Sequence, residues 1–136
     1  MERVDYQPLL VQDILSWHEN DQLELNPWYQ RRSVWTVPQK AYLLNTILES
    51  KPVPTLYFRH TIDLKKNLAT REVVDGQQRI RSILEFVDNG FAVRHPNRPK
   101  KLKYRDMTPG EKKSFRSTQL SGGNLLGATE SDVIEI

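Results

Sequence analysis

The spacing of apolar residues in this chain changes from strand-like to helical after Val74, and the change marks a corner. Arg71-Glu72-Val73-Val74 ends in β-branched residues suited to a buried strand, whereas Ile80, Ile83, Leu84 and Val87 recur at helical spacing. Between the two patterns lie Asp75-Gly76-Gln77-Gln78-Arg79, so a strand, a tight turn and a helix are expected in that order. Gly76 can take the positive φ that such a turn requires. The helix is expected to end at Asn89-Gly90, a favourable left-handed cap.

The same reading places the other elements. Leu9, Leu10, Asp13, Ile14 and Trp17 predict a short amphipathic helix, and Leu23-Glu24-Leu25 a strand leading into Asn26-Pro27. Thr36 to Pro38 look like a helix start; Leu43, Leu44, Ile47 and Leu48 give that helix an apolar face, and Pro52 and Pro54 stop it. Thr55-Leu56-Tyr57-Phe58-Arg59 reads as a strand. Ile62 to Leu68 reads as a polar hairpin loop, which makes that strand and the one ending at Asp75 antiparallel neighbours. Thr108-Pro109-Gly110-Glu111 is a capping-box helix start. Leu120 to Leu126 is broken by glycine, and Ser131 to Ile136 begins a helix-like pattern that stops after about one turn. That ending predicts an N-terminal fragment. With neither a repeat nor a long linker, residues 1–136 read as one domain.

Composition narrows the chemistry. Hydrophobic residues make up 38% of the chain, enough for a modest core, and the absence of cysteine excludes disulfides, thiolate nucleophiles and cysteine-held metals. His18, His60 and His95 are widely spaced, which speaks against an imidazole metal site. There is no signal pattern and no membrane-length apolar run, so a cytoplasmic protein with no membrane partner is expected. The net charge is only +3, yet Arg94, Arg98, Lys100, Lys101, Lys103 and Arg105 fall within one twelve-residue span without an acid. That span is either a solvated loop or a surface for an anionic partner.

Two polar constellations carry candidate chemistry. At the corner, the first turn of the helix offers N–H groups and a dipole to an anion, and phosphate is the natural one. Asp75 is a candidate Mg²⁺ ligand or water-orienting carboxylate; Gln77 and Gln78 can donate to phosphate oxygens, and Arg79 offers a bidentate fork. The competing reading makes Asp75 a helix cap and the glutamines ordinary first-turn residues. The second constellation is Tyr29-Gln30-Arg31 with Trp35, in which an aromatic beside an arginine suits a base or a phosphate. Its competing reading puts Trp28, Val34 and Trp35 in the core.

Taken together, Pro27-Trp28-Tyr29-Gln30-Arg31, Trp35 and Val74-Asp75-Gly76-Gln77-Gln78-Arg79 resemble the N-terminal domain of GmrSD-type restriction proteins. The similarity runs from about Leu23 to Phe91 and is looser over Tyr104-Arg105-Asp106-Met107. Arg32 and Ser33 depart from the family pattern, and its F-x-R-x-N motif is missing. The resemblance implies an α+β fold of ParB and sulfiredoxin type, with a small mixed sheet flanked by helices. It implies a nucleoside triphosphate as ligand or substrate, with Mg²⁺, held by Tyr29, Gln30, Arg31, Gly76, Gln77, Gln78, Arg79 and Arg81. Asp75, Gln77 and Arg79 would be the catalytic residues of an NTPase coupled to a nuclease domain or subunit that acts on modified or phage DNA. Two other functions are compatible with the same residues. One is a DNA-binding module using Lys100, Lys101 and Lys103 on the backbone and Trp28 or Tyr29 on a modified base. The other is a scaffold that docks a nuclease.

Overall fold

The computed structural model describes residues 3–25 and 34–126. Among these residues five strands form one mixed sheet in the order β1-β5-β3-β4-β2, with β1 at Arg3–Leu10, β2 at Leu23–Glu24, β3 at Leu56–Asp63, β4 at Leu68–Asp75 and β5 at Gln119–Leu126. β1 runs antiparallel to β5 and β3 antiparallel to β4, while β2–β4 and β3–β5 are parallel. Among the described residues four α-helices accompany the sheet: α1 at Val11–Glu19, α2 at Val37–Leu48, α3 at Gln77–Val87 and α4 at Pro109–Arg116. The fold is therefore α+β.

Local chemistry explains the helix boundaries. The Asp13 carboxylate accepts the Leu10 N–H at 2.7 Å and so starts α1. Thr36 and Thr108 cap α2 and α4 with their hydroxyls, and Gln39 and Glu111 return the bond to the cap N–H groups at 2.8 Å each. At the end of α3, Asn89 takes φ 64° and the Gly90 N–H reaches the Glu85 carbonyl at 2.8 Å.

One sheet face meets the helices. Leu9, Leu56, Phe58, Val73 and Leu120 pack there with Ile14, Leu44, Ile47, Ile80, Ile83 and Phe86 in a single core. Each such side chain contributes about 1.5–3 kcal/mol when withdrawn from water. Val74 follows Val73 and so points to the other face, where it joins Leu125, Val4 and Tyr57 in a smaller cluster.

Two expectations need correction. Leu9 and Leu10 do not open the first helix; they end β1, an edge strand whose residues up to Pro8 are exposed or half-buried. The stretch Leu120 to Leu126 is not broken by glycine but forms most of β5, between β1 and β3. A Cβ on Gly123 would stand 2.7 Å from the Tyr57 ring, so the glycine lets neighbouring side chains cross the strand. Ser131 to Ile136 lie outside the described residues. Among the described residues, no helix is long and apolar enough to cross a membrane.

Candidate functional site

The corner forms where β4 ends at Asp75 and α3 begins at Gln77. Gly76 is the N-cap, at φ 108° and ψ 17°, and brings no side chain to cap the helix. Asp75 does not serve as the cap; its side chain is 59% exposed and lies 3.9 Å from the Arg79 guanidinium. The first turn of α3 thus differs from those of α2 and α4, whose threonines fill the capping position.

Past the corner, the polar side chains divide among different faces. The Gln77 amide donates back to the Val73 carbonyl at 3.1 Å. Arg79 turns toward the start of β3, where its Nη1 donates to the carbonyls of Pro54 and Thr55, and its side chain is only 12% exposed. Burial pushes this guanidinium below its ordinary pKa, and Asp75 partly offsets that effect. Arg79 therefore fastens the corner to the segment that leads into β3. Gln78 and Arg81, three residues apart on the helix, share a third face.

That third face borders a cleft of about 810 Å³. Gln78, Arg81, Leu84 and Val87 of α3 line one side, and Leu15 and His18 of α1 line the other. Lys40 from α2 and Arg116 from α4 are also at the cleft, and Lys40 is bound to Glu85 of α3 at 2.7 Å. Leu25 and Val34 line it too, and they flank residues 26–33. The Trp35 N–H donates to Gln78 Oε1 at 3.4 Å, which ties the chain just after that segment to the corner helix. Trp28, Tyr29, Gln30 and Arg31 lie outside the described residues. Trp35 packs against the core, but Val34 is 86% exposed and is not a core residue.

The basic span stands elsewhere, beyond α3. A two-residue bridge between Val93 and Leu102 closes its base, and the lobe between them is held from two sides. The Arg94 N–H donates to Asn45 of α2 at 3.1 Å, and Arg98 forks onto Glu111 of α4 at 2.7 and 3.1 Å. Lys100 and Lys101 are exposed on this lobe and form no ion pair among the described residues. Lys103 is half-buried just past the bridge.

Glu111 both caps α4 and anchors the lobe. Its bonds from Arg98 and from the Thr108 N–H hold its carboxyl at a pKa of about 2. A carboxyl whose folded pKa is depressed stabilises the fold above its ordinary value, and that stabilisation is lost as pH falls through the folded one. The wild type is therefore expected to exceed Glu111→Gln in melting temperature at neutral pH, with the gap closing as pH falls from about 4.5 to about 2. Thermal unfolding of both proteins across that range checks this, and a gap independent of pH contradicts it.

Arg116 and Lys40 belong to no motif in the sequence, and only tertiary packing brings them to the cleft that Gln78 and Arg81 line. No group of three or more His, Cys, Asp or Glu residues that could hold a metal occurs among the described residues. The family described as "GmrSD restriction endonuclease, N-terminal domain" matches residues 11–131. No curated protein and no solved structure matches the chain.

Proposed function

The chain belongs to the family of GmrSD restriction endonuclease N-terminal domains, and from that premise we propose that it binds a nucleoside triphosphate in the cleft beside the corner. The observation that carries this reading is the shared face of Gln78 and Arg81. Both stand in the first turns of a helix whose N-cap is a glycine, and both line a cleft large enough for a small ligand. Phosphates at this end meet first-turn N–H groups, the positive end of the helix dipole and the Arg81 guanidinium. Arg79 contributes by holding the corner in shape. Leu25 and Val34 at the cleft, on either side of residues 26–33 in the sequence, support a ligand-binding role for Tyr29, Gln30 and Arg31.

One exposed carboxylate, Asp75, fits Mg²⁺, a cation that takes one or two protein carboxylates and fills its remaining positions with water and substrate phosphate. When bound, the ion would neutralise charge on the phosphate chain. Gln77 is held by its amide nitrogen, so its Oε1 is the group that can orient an attacking water. Hydrolysis by Asp75 and Gln77, whose side chains stand at the corner and not on the cleft lining, and coupling to a nuclease that acts on DNA extend this reading. A second reading makes the basic lobe a DNA-backbone surface. It is favoured by the Arg98–Glu111 fork, which holds Lys100 and Lys101 on an anchored segment.

Calorimetric titration with each of four common nucleoside triphosphates in MgCl₂, and with a DNA duplex as a separate titrant, tests the proposal. Saturable triphosphate binding is expected, weakened at least about tenfold in Arg81→Ala, since a bond from a charged donor contributes about 1.5–3 kcal/mol. A wild type that binds the duplex and no triphosphate would sink the reading in favour of the lobe.

A further inference from the structure

Arg116 lines the cleft, and its partner Tyr104 packs on Phe86 near the end of α3 away from the corner. Val87, on the same cleft wall, is nine residues beyond Gln78, which places the two ends of the wall about 14 Å apart along the helix. Between them the lining combines Leu15, Leu84 and Val87 with the Lys40–Glu85 ion pair, and Glu19 and Asp88 add two carboxylates. A ligand with an anionic end at Gln78 and Arg81 would lay an uncharged body along the three apolar side chains and reach Arg116 with its other end.

The Arg116 guanidinium is held in advance. Its Nε donates to the Tyr104 hydroxyl at 2.7 Å and its Nη1 to Gln12 Oε1 at 2.8 Å, with the Tyr104 ring 5.7 Å from the guanidinium carbon. The Gln12 amide is itself oriented, because its Nε2 donates to Ser16 Oγ at 3.0 Å. Nη2 makes no hydrogen bond among the described residues. Two of the three nitrogens are thus spent on position, and the third presents N–H donors with no acceptor capacity. A donor fixed in this way recognises an acceptor at low entropic cost.

We infer that Arg116 is the base-end contact of the triphosphate site, donating from Nη2 to a carbonyl or ring-nitrogen acceptor of the nucleobase while Leu15, Leu84 and Val87 carry the base and ribose. The inference rests on the proposed triphosphate site and adds a specificity residue from outside the corner. Tyr104 and Gln12 are positioning residues: they act through Arg116.

Titration of the tightest-binding nucleoside triphosphate, beside inorganic tripolyphosphate, separates the two ends of the cleft. Arg116→Ala is expected to weaken the nucleotide about tenfold or more while leaving tripolyphosphate affinity unchanged. Arg81→Ala is expected to weaken both. Tyr104→Phe removes only the hydroxyl that orients Nε and is expected to weaken the nucleotide by a smaller factor, again sparing tripolyphosphate. Equal loss of both ligands in Arg116→Ala, with full nucleotide affinity in Tyr104→Phe, overturns the assignment. Wild-type binding of the nucleotide no tighter than tripolyphosphate overturns it as well and leaves the phosphate end standing. Wild-type binding of neither ligand overturns the triphosphate site itself.

Discussion

Gly76→Ala is expected to lower the unfolding free energy by about 3 kcal/mol and to abolish triphosphate binding. The backbone sits at φ 108°, where an L side chain is strained whatever space surrounds it. Space is also lacking: a Cβ would collide with Leu56 Cδ2 and stand 3.2 Å from Arg79 Nη2. Leu56 is 1% exposed in the core, and Arg79 is anchored on the Pro54 and Thr55 carbonyls, so neither can give way cheaply. Relief would come from moving the corner, and with it the face that carries Gln78 and Arg81. Urea unfolding compared with the wild type measures the first effect and calorimetry the second. A loss under about 0.5 kcal/mol, the usual range for surface substitutions, would show that the corner tolerates another geometry.

The larger loss of stability, about 4 kcal/mol, is expected for Phe86→Ala. Phe86 is fully buried, with ring centroids 5.8 Å from Phe91, 5.8 Å from Tyr104 and 5.6 Å from Phe115. Its ring thus ties α3 to the segment after it, to the 3₁₀ turn at Tyr104–Asp106 and to α4. Truncation leaves a cavity among groups fixed by three different elements, so little collapse can refill it. The damage also reaches the cleft, because Tyr104 is the residue that orients Arg116. Urea unfolding tests the magnitude; a cost under about 2 kcal/mol would mean that the aromatic cluster rearranges around the gap.

These residues show why some of the molecule was legible in the sequence and some was not. The corner could be read because its signals are local: a β-branched strand end, a glycine, then a helical repeat. The capping boxes at Thr36 and Thr108 are local for the same reason. β1 and β5 left no such trace. β1 is an edge strand, and Leu9 is its one buried residue, so no alternation marks it. The glycines of β5 read as a break until Leu9, Val4 and Tyr57 are seen to lie across them. Arg79 has the composition of a phosphate ligand, and nothing in its neighbours announces that its fork bonds the carbonyls of Pro54 and Thr55. Arg116 is oriented by Gln12, 104 residues away, and a contact of that range lies beyond any motif.

In the function proposed above, the face of α3 bearing Gln78 and Arg81 receives the phosphates of a nucleoside triphosphate. Amide-resolved NMR during titration with the triphosphate and Mg²⁺ tests it most directly, since it reports which backbone N–H groups sense the ligand. The largest shifts are expected at Gln77, Gln78, Arg79 and Arg81, with smaller ones at Leu84, Val87 and Arg116. Shifts confined to Lys100, Lys101 and Lys103, or no shifts at saturating nucleotide, would contradict it.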